Sequence, residues 1–518
     1  MNLLEDPWIP VRANGGTGAF RLLTYRELLC EPDDAWQISL PRDDLELACL
    51  QLLVCMTQVM FLPEDDRMLR ARIAKPLSVT EFDSGTAPCC DWFDLDHATQ
   101  PFMQSRGVKA VEDTPIQKLL IGLPEGNNHA FFNEAGEVRQ LCGSLAAIAL
   151  FNQASNCPSF GGGFKGSLRG GAPITTLVLG CGLRDMVWRN VLTRPRVALR
   201  QISMSTWAED QPTWVRPIVD KSIVPWDEIG LIRGLFWQPA RVELVRSAAN
   251  EPCDLLGGEP GSTYSGFRKE KFNFTVQGVW PHPHGTLSMT VKKGVLEQRF
   301  TSFTTTAPAW THLSEFVVPR SLNDANVKAG VVPAGPITQF GEMGGSSLNL
   351  LIGGYRTKQA SVLERRHELV SLAHGWRDDD EHLPELLALG IDARHHLLDA
   401  VFTAAIGREG ATGIGLVRKK KGRKVIRTMD DANGFHDVAE RMFYARTESL
   451  IHETFSNEYT WKTWAPARRD FARKMAGHCR DIFKELTAPY AMKPELIPVI
   501  AWARRNMNSD LKKLTEEA

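Results

Sequence analysis

Four amphipathic segments occupy the C-terminal part of the chain, and this pattern constrains the fold more than any other feature. Apolar residues recur at three- and four-residue spacing, for example at Leu397, Val401 and Ala404, which is the periodicity of a helix with one buried face. The segments span residues 383–406, 435–455, 465–486 and 494–514. Helices of this length bury their apolar faces by packing together, so the sequence predicts a four-helix bundle over residues 379–518.

Residues 1–378 have a different texture, in which short strand-like runs alternate with helices and many Gly/Pro turns. Residues 45–62 have the length and apolar spacing of a buried helix,. Residues 287–292 and 295–304 flank a Lys293-Gly294 turn and predict a hairpin. We expect an α+β fold with an irregular, loop-rich N-terminal domain. A chain of 518 residues exceeds one hydrophobic core, so we place the domains at 1–378 and 379–518.

Charge is unevenly distributed, although the whole chain carries a formal net charge of −1. Residues 401–518 hold 22 basic and 15 acidic side chains, a net +7, which leaves −8 for residues 1–400. Seven of these cations lie in the loop from Arg418 to Arg427. Such a cluster suits a polyanion or an acidic protein face, and a helical domain with solvated Lys/Arg faces explains the charge equally well.

The cysteines and the N-terminus predict a cytoplasmic protein. The ten cysteines include no C-x-x-C pair, and Cys49 and Cys55 lie in an apolar run, which is typical of reduced, buried thiols. The N-terminus lacks the basic start and apolar run of a signal peptide. The longest apolar stretch, residues 47–62, is too short and too interrupted to span a bilayer, so we expect no membrane association.

No catalytic signature is anchored in the sequence, so we expect no enzyme activity, no cofactor and no metal. The run Gly257–Thr263 lacks the Gly-Lys-Ser/Thr that ends a phosphate loop,. His282 and His284 put two imidazoles on one side of an extended segment, without a third ligand at a recognisable spacing. The alternative to a binding protein is therefore a metal-dependent nuclease or hydrolase that uses His282 and His284.

Residues 160–171 form the most unusual segment, with six glycines in twelve residues. Ordering so many glycines costs conformational entropy, which some benefit must offset. Glycine permits close approach of the backbone to another surface, and Lys165 and Arg169 place positive charge beside it. The segment suits contact with a nucleic-acid groove or with phosphates; a flexible turn is the alternative.

Two further segments carry residue types that suit nucleic acid. Residues 264–272 interleave cations with aromatic side chains, which favours phosphate and base contacts, although ordinary exposed strands look similar. Residues 353–361 form a predicted glycine-hinged loop that leads into a helix over 362–373. Gln359 in this loop can donate and accept hydrogen bonds, so it can probe a base edge or replace a base pair. A helix-capping turn is the alternative.

These segments belong to a longer ordered series, and with it the chain resembles the CasA family, the large subunits of the type I-E CRISPR surveillance complex Cascade. The other motifs of the series are Asn2-Leu3-Leu4, Trp8-Ile9-Pro10-Val11, Leu40-Pro41-Arg42-Asp43-Asp44, Pro101-Phe102-Met103-Gln104, Ala149-Leu150-Phe151-Asn152-Gln153, Arg233-Gly234-Leu235-Phe236-Trp237-Gln238-Pro239, Lys269-Glu270-Lys271-Phe272, Trp280-Pro281-His282-Pro283-His284 and Gly353-Gly354-Tyr355-Arg356. The resemblance covers essentially the whole length.

The resemblance implies an RNA-guided role in antiviral defence. Such a protein recognises the protospacer-adjacent motif (PAM) in the minor groove of double-stranded DNA, promotes strand opening and R-loop formation, and supports recruitment of a separate helicase-nuclease. Protein reads the PAM and base pairing reads the remaining sequence. Because the minor-groove pattern is degenerate, tolerance of several PAMs is expected. The implied partners are the 5′ end of the guide RNA, PAM-containing DNA, the other Cascade subunits and the helicase-nuclease.

The resemblance also implies roles for individual residues. The glycine loop, Gly161, Gly162 and Gly163, lies against the minor groove, and Lys271 is a finger that reaches acceptors on the groove floor. Gln359 is a wedge that separates the first target pair. The remaining DNA-contacting positions are Arg356, Lys358, Ala360, Lys292 and Lys293. Phe131, Phe132 and Asn133 form a loop near the 5′ end of the guide RNA.

The sequence departs from other members of the family in three respects. Ser159 stands where some members have glycine, and Lys358 stands where some have asparagine, so the PAM preference is left open. Some members carry a cysteine cluster before the lysine finger. Only Cys253 is expected to remain of that cluster here, so no zinc site is carried over.

Overall fold

The computed structural model describes residues 1–32, 35–121, 136–248, 250–322, 329–358, 361–408, 411–414, 419–421, 424–426 and 429–518. The described chain divides into two compact units. The first comprises Met1–Thr306, Glu315–Gly345 and Asn349–Leu369, and the second comprises Ala307–Ser314, Ser346–Leu348 and Val370–Ala518. The first unit mixes helices and strands and the second is mainly helical, which confirms the expected α+β fold. The domain boundary at residue 378 stays a prediction.

The helices up to residue 342 are mostly short. The α-helices are Tyr25–Cys30, Asp43–Met60, Asp66–Ala74, Val79–Thr86, Gly143–Ser155, Leu183–Arg189, Arg194–Leu199, Leu231–Leu235, Leu313–Val317 and Gly335–Glu342. Short 3-10 turns lie at Asn14–Gly16, Ala87–Phe93, Ile116–Leu119, Trp226–Glu228 and Ala309–His312.

The strands up to residue 372 form several small sheets rather than one continuous layer. They are Ile9–Arg12, Phe20–Leu23, Gln37–Ile38, Thr114–Pro115, Leu141–Cys142, Thr175–Val178, Ser222–Pro225, Arg241–Arg246, Glu251–Cys253, Gly257–Gly261, Thr263–Glu270, Phe274–Gln277, Leu287–Lys292, Val295–Phe300, Ala329–Val332, Leu348–Lys358 and Ser361–Leu372. The predicted hairpin is confirmed: Leu287–Lys292 pairs antiparallel with Val295–Phe300.

The helix Asp43–Met60 is the centre of the core in the first unit. It carries acidic residues in its first turn, where negative charge stabilises the helix through its dipole,. Almost every residue after Leu45 is buried. It packs against the helix Gly143–Ser155, which is buried from Ser144 onward. The predicted buried helix over residues 45–62 is therefore confirmed, and both helices supply fixed supports for the loops that follow them.

A four-stranded sheet is built around the strand Thr263–Glu270. This strand pairs antiparallel with Thr114–Pro115, Leu141–Cys142 and Arg241–Arg246. Buried Tyr264 and Phe267 fix its inner face. Because both ends of the strand are held by partners, the residues just beyond Glu270 start from a fixed backbone.

The second unit contains the predicted helical bundle. The long helix His382–Ile406 packs against the helices Met429–Phe455, Trp464–Thr487 and Ile497–Glu517. Its other elements are the short helix Glu458–Lys462, the 3-10 turn Ala488–Tyr490, and the strands Gly407–Arg408, Ala411–Thr412, Lys419–Lys421 and Lys424–Ile426. Leu397, Phe471 and Leu511 are buried, as the apolar periodicity requires.

The helix predicted over residues 362–373 is wrong, because this segment is the strand Ser361–Leu372. It neighbours Leu348–Lys358 in a sheet. The ion pair between Arg356 and Glu364 joins the two strands. These contacts outweigh the weak helical spacing of its apolar residues. Within the described ranges, no helix is both long enough and apolar enough to cross a bilayer.

Candidate nucleic-acid interface

The glycine loop begins with a tight turn whose shape requires glycine at two positions. The Phe164 N–H donates to the Gly161 carbonyl over 2.9 Å. Gly161 and Gly163 have φ angles of +93° and +89°, in a region that residues with a Cβ rarely adopt. Their glycine identity therefore follows from the backbone of the turn alone.

Gly162, between them, has no such internal reason to be glycine. Its φ lies outside the left-handed region, and a Cβ at this position would meet no atom within 4 Å among the described residues beyond its chain neighbours. The residue is exposed. The missing side chain thus leaves bare backbone facing solvent, which suits close approach by an external surface.

Lys271 follows directly after the strand Thr263–Glu270. The nearby charged residues Arg268 and Glu270 form ion pairs, whereas Lys271 forms none within the described residues. Arg268 pairs with Asp113 over 2.8 Å, and Glu270 pairs with Arg241 over 3.0 Å. Lys271 is exposed and has no ion-pair or hydrogen-bond partner in the described part of the chain. Its ammonium group is therefore available to an external acceptor.

The structure brings Lys271 and the glycine loop together. A Cβ on Gly163 would lie 3.4 Å from Cδ and 3.5 Å from Nζ of Lys271. The lysine thus runs along the open backbone of Gly163, and these two groups form one surface. This is the central juxtaposition of the candidate interface.

An aromatic cluster of Phe160, Phe164 and Phe267, here called the aromatic clasp, holds this surface together. The Phe160 ring lies 5.5 Å from Phe164 and 5.6 Å from Phe267, measured between centroids. The Lys269 ammonium lies 5.3 Å from the Phe160 centroid and 5.9 Å from that of Phe267. Such contacts join the glycine loop to the strand that leads to Lys271.

Arg169 does not add surface charge to the glycine loop, which corrects the sequence-based expectation. Its side chain is buried, and its guanidinium donates to Thr175 Oγ1 over 2.9 Å and to Asn156 Oδ1 over 2.7 Å. Burial lowers the pKa of Arg169 to about 9. The residue supports the base of the loop from inside, while Lys165 beside it is half-buried.

A buried polar network connects the base of the glycine loop to the strand Leu348–Lys358. Asn156 donates to Asn152 over 3.1 Å, and Asn152 donates to the Tyr355 hydroxyl over 2.7 Å. The Tyr355 hydroxyl donates to Asp44 over 2.9 Å, and Asp44 also pairs with Arg42 over 2.8 Å. Satisfied buried networks of this kind rigidify the elements they join.

Gly353 serves packing rather than a hinge. It lies within the strand Leu348–Lys358, and a Cβ there would stand 2.5 Å from Leu47 Cδ2 of the central helix. The glycine lets this strand approach the helix closely, so the predicted glycine-hinged loop is wrong at this position. The strand therefore presents its last residue, Lys358, from a fixed support.

The predicted DNA-contacting residues of this strand differ in their surroundings. Arg356 is half-buried and its Nε donates to Glu364 over 2.7 Å, so its charge is already neutralised. Lys358 is exposed at the end of the strand. Gln359 and Ala360 lie outside the described residues.

Lys292 and Lys293 lie at the tip of the hairpin formed by Leu287–Lys292 and Val295–Phe300. Lys293 has a φ of +52° and Gly294 a φ of +78°, and a two-residue type I′ hairpin turn requires a positive φ at both of these positions. Lys292 pairs with Glu297 over 2.6 Å, and both side chains are exposed. The hairpin tip thus adds a second exposed position with basic residues.

Other predicted positions lie partly or wholly outside the described residues. Phe131, Phe132 and Asn133 are outside them. In the basic loop, Arg418, Arg423 and Arg427 are also outside. Lys419–Lys421 pairs with Lys424–Ile426 as a short antiparallel ladder.

His282 and His284 are buried next to one another, with ring centroids 5.2 Å apart. Burial is the main cause that lowers the pKa of His284 to about 3, and the nearby cations Arg169 and Arg200 contribute to the same shift. The pKa of His282 is lowered well below its usual range, first by burial and then by Arg169. Buried cations oppose the binding of another cation, so this environment does not fit the metal-dependent alternative.

The described residues include one group with suitable spacing for a metal ion, His436, Asp437 and Glu440. Glu440 is already occupied, because Arg394 Nε donates to it over 3.0 Å and the two form an ion pair. Because Arg394 competes with any metal ion for the Glu440 carboxylate, we assign no metal to this group.

Sequence reasoning missed the supporting residues rather than the exposed ones. Asp44, Asn152 and Tyr355 each stand in a motif of the ordered series, and the structure joins those motifs through the buried network. Phe160 stands at the edge of the glycine loop. Aromatic residues that flank a glycine-rich run are a signal that could have identified the aromatic clasp.

Comparison with known proteins places this architecture among CRISPR-associated proteins. A family model described as CRISPR-associated protein Cse1 matches residues 2–482. The Cse1 structure from Acidimicrobium ferrooxidans is similar at a TM-score of 0.74 and 15% identity, over 100% of this chain and 98% of that one. Thermus thermophilus CasA (Cse1) has a TM-score of 0.69 and 17% identity, over 100% and 99%. A chain of a structure described as a CRISPR RNA-guided surveillance complex has a TM-score of 0.63 and 16% identity, over 98% and 99%.

Proposed function

The chain belongs to the Cse1 family of CRISPR-associated proteins, and we propose that it is the large subunit of the type I-E surveillance complex Cascade. In this role it recognises the PAM in the minor groove of target DNA, promotes strand opening for R-loop formation, and supports recruitment of the helicase-nuclease. Its partners are the 5′ end of the guide RNA, the target duplex, the other Cascade subunits and that nuclease.

The observation that supports PAM recognition best is the surface formed by Gly162, Gly163 and Lys271. The minor groove is about 6 Å wide and presents acceptors on its floor at every base pair. Backbone without side chains fits between its walls, and an unpaired ammonium can donate to those acceptors. An ordinary flexible turn needs no free lysine along its backbone.

Strand opening is proposed for the residues that follow Tyr355. The buried network fixes the strand that ends at Lys358. A wedge acts efficiently only if the protein strand that supports it does not move. We assign Gln359 as that wedge, with Lys358 as a cation for the adjacent phosphate. The amide fills the space of an unstacked base, which offsets part of the cost of separating a pair.

The proposal is tested by reconstitution with guide RNA and the smaller Cascade subunits. Complex assembled with this chain should form R-loops on a target with a PAM, and complex assembled without it should not. The same target without a PAM should remain duplex in both cases. PAM-independent R-loop formation, or failure of the chain to join the complex, would refute the proposed function. Purified chain with DNA and Mg²⁺ or Mn²⁺ should leave the DNA uncut.

A further inference from the structure

Cys142 and Cys253 lie far apart in sequence, yet the fold brings the strands Leu141–Cys142 and Glu251–Cys253 into contact, and the two thiols interact there. Sequence spacing alone did not indicate Cys142 as a partner of Cys253. Both thiols are free, Cys253 is buried, and Cys142 is half-buried. Cys142 is thus the more accessible residue of the two.

Backbone contacts between the two flanking segments fix the pair. The Asp254 carboxylate accepts the N–H groups of Arg139 over 2.6 Å and of Gln140 over 2.8 Å. The Asp254 N–H donates back to the Gln140 carbonyl over 3.1 Å. Residues next to each cysteine are thus joined by three hydrogen bonds, which hold the thiols in register.

Side chains add to this attachment. The Gln140 amide donates to Glu251, and the Thr263 hydroxyl donates to Gln140. Thr263 is also the strand partner of Cys142. The sheet and its side-chain hydrogen bonds therefore hold the two cysteines near one another.

Each sulfur accepts backbone N–H groups. Those of Ser144 and Leu145 point to Cys142, at the start of the helix Gly143–Ser155, and those of Leu255 and Leu256 point to Cys253. The hydrogen bond from the Cys142 thiol lowers the pKa of Cys253 and raises that of Cys142. One proton is thus shared between two sulfurs.

Other buried cysteines differ from this pair. Burial raises the pKa of Cys49 and of Cys55, so their thiols stay protonated. Reactivity towards oxidants follows thiolate character and access. The Cys142–Cys253 pair combines a stabilised thiolate with an adjacent second thiol.

We propose that Cys142 and Cys253 form a redox-active dithiol that closes to a disulfide on exposure to a peroxide. The thiolate attacks one peroxide oxygen, so an S–O bond forms, the O–O bond breaks, and the departing hydroxide takes a proton to become water. The second sulfur then loses its proton and attacks the sulfenic sulfur. The S–S bond forms, the S–O bond breaks, and a second water leaves.

The location gives this bridge a structural consequence. Cys142 caps the helix that leads into the glycine loop, and Cys253 precedes the strand that leads to Lys271. A disulfide would therefore link covalently the segment that leads into the glycine loop and the segment that leads to Lys271. Hydrogen exchange of amides in residues 141–145 and 251–256 should therefore slow in the oxidised protein, because the disulfide prevents these two segments from separating.

The test uses the full chain with exposed Cys90 and Cys181 changed to Ser, which removes two accessible thiols. After treatment with hydrogen peroxide, the intact mass should fall by about 2 Da, the mass of two hydrogens. Proteolytic mapping without reductant should find one linked pair of peptides, containing Cys142 and Cys253. Dithiothreitol should restore both thiols.

Single changes separate bridge formation from general oxidation. In C142S or C253S the remaining cysteine has no partner, so it should stop at sulfenic acid and be captured by dimedone. Retention of both thiols in the parent protein at peroxide levels that oxidise its methionines would overturn the proposal. Bridging between other cysteines, or a stoichiometric metal ion that blocks bridging until a chelator is added, would also overturn it. These outcomes do not depend on DNA binding, so they leave the proposed function separately testable.

Discussion

The side chain of Lys271 lies along the backbone of Gly163, with Nζ 3.5 Å from the position a Cβ would take. The lysine finger and the glycine loop, which are more than one hundred residues apart in sequence, are thus already one surface without DNA. A preformed surface loses little conformational freedom on binding. The following predictions test whether that surface reads the minor groove.

Lys271→Ala should weaken binding of assembled Cascade to PAM-containing duplex by about 1–3 kcal/mol, as for a good base contact. The reason is that this ammonium has no partner within the described residues and can donate to groove acceptors. Binding isotherms on duplexes with and without the PAM measure the difference. The loss on the duplex without the PAM should be much smaller.

Arg268→Ala is the matched control for Lys271→Ala, because it removes a cation of the same segment that is already paired with Asp113. An exposed ion pair contributes little, and the Arg268 charge is already paired, so Arg268→Ala should change PAM discrimination little. Equal losses for Lys271→Ala on both duplexes would make Lys271 an ordinary phosphate contact.

Gly162→Ala should leave folding intact and reduce PAM-dependent binding roughly tenfold, about 1.4 kcal/mol. The added methyl group meets no atom of the described chain, so its cost arises only when DNA approaches. Gly171→Ala adds an equally unhindered methyl group in the same segment and is the control. Thermal unfolding and PAM-duplex binding are measured for both. Equal binding by both variants would mean that Gly162 does not approach DNA.

Phe160→Ala should lower PAM discrimination, because the aromatic clasp then no longer holds the glycine loop beside Lys271. Each aromatic contact contributes about 0.5–1.5 kcal/mol, and Phe160 takes part in two of them. Phe160→Tyr keeps the ring and should restore discrimination. Phe20→Ala, which removes a ring under Arg12 elsewhere, is the control. A loss that Phe160→Tyr does not restore would count against positioning by the ring.

Periodicity and turn chemistry predicted those parts of the fold whose signals are local. The central helix Asp43–Met60, the Lys293-Gly294 hairpin and the bundle helices all carry their pattern within one segment. The glycine loop was identified from its local composition, whereas the role of Lys271 came from the family resemblance. The sequence did not predict their contact, since spacing along the chain contains no information about which loops meet.

The errors arise where tertiary contacts override local preference. Ser361–Leu372 is a strand because it pairs with a neighbouring strand. Gly353 is a glycine because Leu47 leaves no room for a Cβ, and not because the chain bends there. Arg169 resembled a surface cation because its buried acceptors, Asn156 and Thr175, come from other segments. Burial of a charged side chain depends on partners that only the folded chain brings together.

Ala substitutions at Lys419, Lys420, Lys421 and Lys424 should weaken DNA binding equally with and without a PAM. A cluster this dense neutralises phosphates without reading bases, and each lost contact lowers the salt dependence. Binding at several salt concentrations measures the slope. A matched set of Ala changes at Lys462, Lys474, Lys512 and Lys513, cations in local ion pairs, should change the slope less. Unchanged slope and affinity in the first set would mean that the loop is only solvated or meets a protein face.

Gln359→Ala should slow strand opening without weakening initial PAM binding. The residue follows Lys358, the exposed end of a strand that the buried network fixes, so a cation can hold the backbone while the amide occupies the space of an unstacked base. Separating the first pair costs about 1–2 kcal/mol of stacking, and a wedge that fills the gap offsets part of this cost. R-loop formation by assembled Cascade on intact target duplex should therefore be slower. A target with a pre-melted bubble beside the PAM needs no wedge, so the variant should bind it as wild type does. Equal impairment on bubble and duplex would place Gln359 in recognition or in folding of the loop, and the wedge assignment would be wrong.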